Sequence, residues 1–196
     1  MFRILILFFI FFTLGSCSSP EGTWGWYVID PSTKAGWTNI KFLVGGFYST
    51  ILLSIIAAFL SIFIGLVVAL PAMSDNKLLK LFNRVYVEFI RSIPLLPMLF
   101  WVFYGLPVIL KSMGIDANID AFWGAIITLA ISDSAFTAEI YRAGIQSISE
   151  GQTEAAKTIG LNYYQTMRYV IMPQALRRIL PPLANQFIYI VKMSAF

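Results

Sequence analysis

Asp133 is the residue of this 196-residue chain whose type and setting most invite chemistry, because its carboxylate stands inside a run of apolar residues. Ionisable groups in such runs are expensive and are functional candidates by default. Together with Ser134 it could meet the amino group of a polar solute passing along a path. It could equally be a hydrogen-bonding tie to Ser132, Ser134 or a neighbouring helix, and the sequence leaves both readings open. Two acid–base pairs, Glu88 with Arg91 and Glu139 with Arg142, stand one helical turn apart. They read as gates or structural pairs rather than as a solute site. The chain has no histidine and a single cysteine, Cys17. A His/Cys zinc site, a Ser-His-Asp triad, a Cys-His dyad and an intramolecular disulfide are therefore excluded, and no metal is expected. There is no G-x-x-x-x-G-K-[ST] loop to cradle phosphates. With no catalytic constellation, an enzyme is a poor reading, and any ATP-driven work needs another subunit to bind the nucleotide.

The elements that must position these residues are membrane helices. The composition is 58% hydrophobic and 16% aromatic, with 12% charged residues, against about 25% charged in soluble domains. The apolar residues are gathered into long runs, which points to lipid as the solvent. Between Lys41 and Asp75 there is no charge at all, so residues 42–70 can span. Gly45, Gly46, Ser49, Ser54, Ala57, Ala58, Ser61 and Gly65 lie along that run and would let helices approach closely. A second span is expected at about 85–110, with kinks or a break at Pro94, Pro97 and Pro107. A third is expected at about 121–141, and a last apolar run covers 179–196.

Residues 1–17 carry Arg3, an apolar run and a small-residue exit ending in Cys17, the pattern of a signal peptide. Leu14-Gly15-Ser16-Cys17 also resembles a lipobox, which makes Cys17 a candidate for lipidation; an uncleaved anchor helix with an inert Cys17 is the alternative. Residues 18–41, with interleaved Trp24, Trp26, Tyr27 and Trp37, read as a short segment on the outer surface. Residues 42–196 form the membrane domain. The net charge of +4 comes from basic residues flanking the apolar runs, as orientation requires, and nucleic acid is not an expected partner. Lys77, Lys80 and Arg84 in one loop, and Arg142, Lys157, Arg168, Arg177 and Arg178 in another, place 74–84 and 142–178 inside. Residues 18–41 and 111–120 are then outside. Arg177 and Arg178 read as interfacial anchors of the last span.

The inner stretch 142–178 writes two short helices at an angle. Ser149 and Gln152 fit a capping box, Glu150 suits the helix N-terminus, and Gly160 is a natural stop. Asn162 and Gln165 repeat the start signal, and Pro173 is expected to interrupt the second helix near Met172. Ala155, Ala156, Ile159 and Gly160 read as one small or apolar face, with Glu154 and Lys157 able to pair. Taken alone, this is an amphipathic helix lying on the lipid surface.

Glu154-Ala155-Ala156, Gly160, Val170, Met172 and Pro173 resemble the EAA motif of ABC importer permeases, with the spacing intact and Val170 and Met172 in place of Ile and Leu. The run from Tyr86 to Leu95, containing Glu88 and Arg91, resembles a segment of the polar amino acid branch of that family. The run from Ala135 to Ile145, containing Glu139 and Arg142, resembles another, as do Pro173-Gln174-Ala175 and Lys192-Met193-Ser194. The resemblance implies an all-α integral membrane protein, a type I importer-like bundle of about four spanning helices with an N-terminal signal or anchor and a cytoplasmic coupling helix. It implies a multi-pass subunit in the bacterial inner membrane that couples an ATPase to alternating access for a polar amino acid. The implied partners are an ABC ATP-binding subunit carrying ATP and Mg, a second permease subunit in a homo- or heterodimer, a periplasmic or lipid-anchored solute-binding protein, and membrane lipid. Relatives continue past Lys192 into one more helix. The alternative expectation is therefore a truncated, non-transporting permease derivative that at most binds the ATPase.

Overall fold

The computed structural model describes residues 25–195 apart from Asp75 and Ala117. The leader and the candidate lipidation residue Cys17 lie outside the described residues. The described elements are helical. They divide into two units, Met1–Tyr48 and Ser49–Phe196.

In the first unit a turn of 3-10 helix, Trp26–Ile29, precedes the start of helix α1, Lys34–Ala69. Asp30 shapes the join. Its carboxylate accepts from the Ser32 amide at 2.9 Å and the Ser32 hydroxyl at 2.6 Å. Thr33 then caps α1, its hydroxyl accepting from the Gly36 amide at 3.0 Å. Gly36 is required here, because a Cβ would stand 2.0 Å from the Asp30 carbonyl oxygen. The helix therefore begins at Lys34, inside the stretch 18–41 read as a surface segment. A local cap, and not the end of the aromatic-rich sequence, decides where the helix starts.

The 36 residues of α1 extend about 54 Å at 1.5 Å each, against about 30 Å of bilayer hydrocarbon. Three stretches are long and apolar enough to cross a membrane by length and composition: Lys34–Met73, Leu95–Ser112 and Ala121–Gln146. Between the first and second of these comes α2, Lys77–Ser92, which is amphipathic rather than uniformly apolar. The span expected at 85–110 is thus broken. Ile93 leaves the helix in an extended conformation and Pro94 restarts it, as the residue before a proline tends to do. Helix α3, Leu95–Phe100, passes through a wide π turn, Trp101–Gly105, into α4, Leu106–Ser112. Helix α5 is Ala121–Gln146, capped by the Asp120 side chain on the Phe122 amide. Helices α6, Glu150–Thr158, and α7, Tyr163–Gln165, lead through a second π turn, Thr166–Ile171, into α8, Met172–Met193. Helix α8 is long enough to span, but it carries Arg177, Arg178, Asn185 and Gln186 among its apolar residues.

Both π turns precede a proline, Pro107 and Pro173. A proline has no amide hydrogen and its ring excludes the carbonyl four residues back. Widening the preceding turn lets the helix continue. Pro173 therefore does not interrupt its helix as expected; it sits in the first turn of α8, where the missing donor costs least.

Packing in the second unit follows the rules of a lipid solvent. Its buried residues are mostly small: Ser54, Ala57, Ser61, Thr128, Ser134, Ala135 and Thr137 are at most 1% exposed. Phe59, Phe63 and Phe100 face outward. Backbones approach through glycine. A Cβ on Gly65 would lie 2.7 Å from Thr137 Cγ2 and 3.0 Å from the Ser134 carbonyl oxygen, so α1 meets α5 there. A Cβ on Gly144 would lie 2.2 Å from Ile179 Cγ1, where α5 meets α8. Close approach of this kind is how helices associate where hydrophobic burial offers no drive.

Candidate functional site

The elbow of α6 and α7 carries the residues of the Glu-Ala-Ala motif. Ser149 stands at the N-cap of α6, but its side chain makes no capping bond; the Gln152 amide bonds its backbone carbonyl instead, at 3.0 Å. The capping box forms one helix later. The Asn162 side chain accepts from the Gln165 amide at 2.9 Å and the Gln165 side chain accepts from the Asn162 amide at 2.9 Å. Between them Gly160 takes φ +82°, a value that L side chains adopt at a cost. Its amide bonds the Lys157 carbonyl at 2.9 Å and the Leu161 amide bonds the Ala156 carbonyl at 3.0 Å. These two bonds make a Schellman turn, which ends α6 and sends the chain back toward the membrane helices.

The expected small face is split by the helix geometry. Ala156 is 3% exposed and turned inward, whereas Glu154, Ala155, Ile159 and Gly160 are exposed. At 100° per residue, Ala155 and Ile159 share a face that Ala156 leaves. Glu154 and Lys157 form no ion pair within 4.0 Å in the structure; among the described residues such pairs are Arg84–Glu88 and Glu139–Arg142. Val170 and Met172 are half-buried and Pro173 is exposed. Gln174 holds this end together. Its side-chain amide donates to the Val170 carbonyl at 2.9 Å and to Gln152 Oε1 at 3.3 Å, tying α8 to α6. Arg178 donates to the carbonyl of Ser147 at the C-terminal end of α5, where a cation suits the helix dipole.

Asp133 is 4% exposed. One carboxylate oxygen accepts from Ser61 Oγ of α1 at 2.5 Å and from Thr137 Oγ1 at 3.2 Å; the other accepts from the side-chain amide of Gln186 in α8. Ser61 and Thr137 are themselves 3.1 Å apart. Ser134 points elsewhere, its hydroxyl 2.8 Å from the Tyr86 hydroxyl of α2. Asp133 and Ser134 therefore belong to two separate inter-helix contacts. Asn83, which the sequence did not single out, is buried and donates to the Val68 carbonyl at 2.7 Å. A lone amide inside an amphipathic helix was the available signal for Asn83, and the Asn185-Gln186 pair of amides in an otherwise apolar stretch was the signal for Gln186.

The two charged pairs differ. Glu139 receives both Nε, at 3.0 Å, and Nη2 of Arg142, and Arg142 Nη1 donates to Gln146 at 2.6 Å. Glu88 does not meet Arg91: it lies 4.0 Å from Arg84, one turn toward the N-terminus. The Arg91 guanidinium instead stands 4.9 Å from the centre of the Phe136 ring, a cation–π contact. Glu88 and Arg91 share a face of α2, but α5 offers Arg91 an aromatic face. All five charged residues nevertheless line one cleft of about 450 Å³ between α2 and α5.

Residues 61–196 match the family described as binding-protein-dependent transport system inner membrane component. The chain belongs to that family. This permease is 43% identical over 157 residues to the protein of Bacillus subtilis (strain 168) named "Probable glutamine ABC transporter permease protein GlnM", covering 80% of the chain and 70% of the relative. It is 41% identical over 130 residues to the L-cystine transport system permease protein TcyL of the same organism, covering 66% and 54%. Among solved structures, it superposes on an amino acid ABC transporter crystallised with histidines with a TM-score of 0.71 at 41% identity, covering 81% of this chain and 73% of that one. The inward-facing MetNI methionine ABC transporter gives 0.63 at 25% identity, covering 78% and 71%. The chain is thus an all-α integral membrane protein with the bundle of a type I ABC importer permease, a transport component of the inner membrane.

Proposed function

We propose that this permease serves an ATP-driven importer for polar amino acids and that the elbow Glu150–Thr158 is its coupling helix. The observation that carries the reading is geometric: a nine-residue helix, closed by the Schellman turn at Gly160, presents Glu154, Ala155 and Ile159 outward. Behind it Ala156 is buried and Ile148, Ile171, Ala175 and Ile179 form a packed core with Tyr141 of α5. A push on the exposed face is thereby passed to α5 and α8. The amino acid substrate is proposed from the relatives, which include a probable glutamine permease and an L-cystine permease. The partners are an ATP-binding subunit, which supplies ATP and Mg, a second permease subunit and a solute-binding protein on the outer side. No cofactor is assigned to the chain itself. Asp133 is read as a tie between α1, α5 and α8, because its carboxylate already accepts from three side chains. Glu139–Arg142 is read as a structural pair near the inner end of α5.

The test is reconstitution with the cognate ATP-binding subunit and solute-binding protein. Wild type is expected to co-purify with the ATPase and to drive amino acid uptake, while Glu154→Lys weakens association without loss of the helical signal. Association without uptake would instead favour a chain that only binds the ATPase. No association by wild type would overturn the coupling assignment.

A further inference from the structure

Helix α2 arranges its side chains in three stripes. Asn83, Val87 and Ile90 are buried. On the far side Leu78, Leu81, Phe82, Val85 and Phe89 are each more than half exposed. Between these runs a charged stripe, Lys80, Arg84, Glu88 and Arg91, at spacings of three and four residues. It forms one wall of the 450 Å³ cleft whose other wall is Glu139 and Arg142 of α5. Four cations face two carboxylates in that space. Glu139 is occupied by Arg142, and Glu88 approaches only Arg84. Among the described residues, Arg91 has no carboxylate within 4.0 Å and lies against Phe136. The cleft therefore carries an excess of positive charge.

We propose that this cleft binds the phosphate of an anionic phospholipid from the inner leaflet, with the acyl chains lying along the exposed apolar stripe of α2. An amphipathic helix with cations on its polar face lies at the depth of the headgroups. Basic pockets between helices on the cytoplasmic side suit anionic headgroups. The acyl-chain stripe is continuous with the cleft, because Leu81 lies next to Glu88 around the helix. A free anion would have no use for that stripe. The inference rests on the membrane placement of the chain and not on the coupling role of α6.

The test is native mass spectrometry of the full chain released from detergent, with phosphatidylglycerol, phosphatidylethanolamine and phosphatidylcholine of identical acyl chains. Phosphatidylglycerol is expected to be retained preferentially. Lys80→Gln with Arg91→Gln should lower its retention about fivefold for each cation removed; Lys111→Gln, in the last turn of α4 and outside the cleft, should leave it unchanged. Glu88→Gln should raise retention, a gain that misfolding cannot imitate. Equal retention of the three lipids, or no response to these substitutions, overturns the proposal. So does displacement of the lipid by inorganic phosphate, which would make the cleft a free-anion site, or by glutamine, which would assign it to the solute path. Because the measurement uses this chain without its ATPase, its outcome is separate from the coupling test.

Discussion

Asp133 shows how a buried carboxyl group can be held by neutral partners alone. Ser61, Thr137 and Gln186 supply three donors to its two oxygens. Replacing it with leucine leaves those donors unpaired, at about 1–3 kcal/mol for a buried group that has lost its partner. Asp133→Asn should cost far less, since an amide keeps an acceptor and Gln186 can turn its own oxygen toward the new donor. Thermal unfolding in detergent should therefore rank the variants wild type, then Asn, then Leu. The reverse order for Asn and Leu would show that the network does not support the fold. The presence of a polar residue in an apolar run was legible in the sequence; its partners were not, because Ser61 and Gln186 lie 72 and 53 positions away. Glu88 illustrates a second limit. Partners three and four residues away are both within reach on a helix, and only the neighbouring Phe136 decides that Arg91 turns away and Arg84 takes the pair.

At the scale of elements, helix ends were readable wherever backbone conformation is forced. Gly160 stops α6 as its type suggests, and its φ of +82° predicts that Gly160→Ala destabilises the elbow by about 1–2 kcal/mol. Amide exchange at Leu161, whose hydrogen bond closes the turn, should speed up accordingly. Capping was less readable: Ser149 and Asn162 carry the same signal, yet only Asn162 makes the box. The turn before α1 gives a pH dependence. Ser32 hydrogen bonds hold the Asp30 carboxyl below its ordinary value of 3.8, so its ionised form steadies the cap. That stabilisation is present above pH 3.8 and is lost as pH falls through the lowered value. Protection of the Ser32 and Gly36 amides should fade over that acidic range and not near neutrality. Among the glycines at helix–helix contacts, Gly144 leaves less room for a Cβ than Gly65 does. Gly144→Ala should cost about 1–3 kcal/mol as an overpacking change, and Ile179→Ala in the same chain should recover part of it. Additive losses in the double variant would mean that the two residues do not meet.

For the whole molecule, the sequence conveyed lipid as the solvent through its long uncharged runs, and the structure adds how the interior is built. The small residues on α1 and α5 are buried beside Ile126, Ile179 and Ile190, while Phe59, Phe63 and Phe100 face outward, an apolar exterior that water would not solvate. Transfer to water-soluble conditions should accordingly aggregate the chain, and light scattering on detergent removal without lipid would register it. The sequence offered kinks or a break at Pro94, Pro97 and Pro107 without choosing among them; the structure puts the break at Ile93–Pro94, between α2 and α3. The three-way carboxylate junction has a mechanical corollary. Helices pinned to one another at Ser61, Asp133 and Gln186 move together about that point, so bending falls at Pro94, at the two wide turns before Pro107 and Pro173, and at Pro181 and Pro182 within α8. Spin labels on α5 and on α8 beyond Pro182 should keep one narrow separation through the transport cycle, while a label on α3 shifts against both.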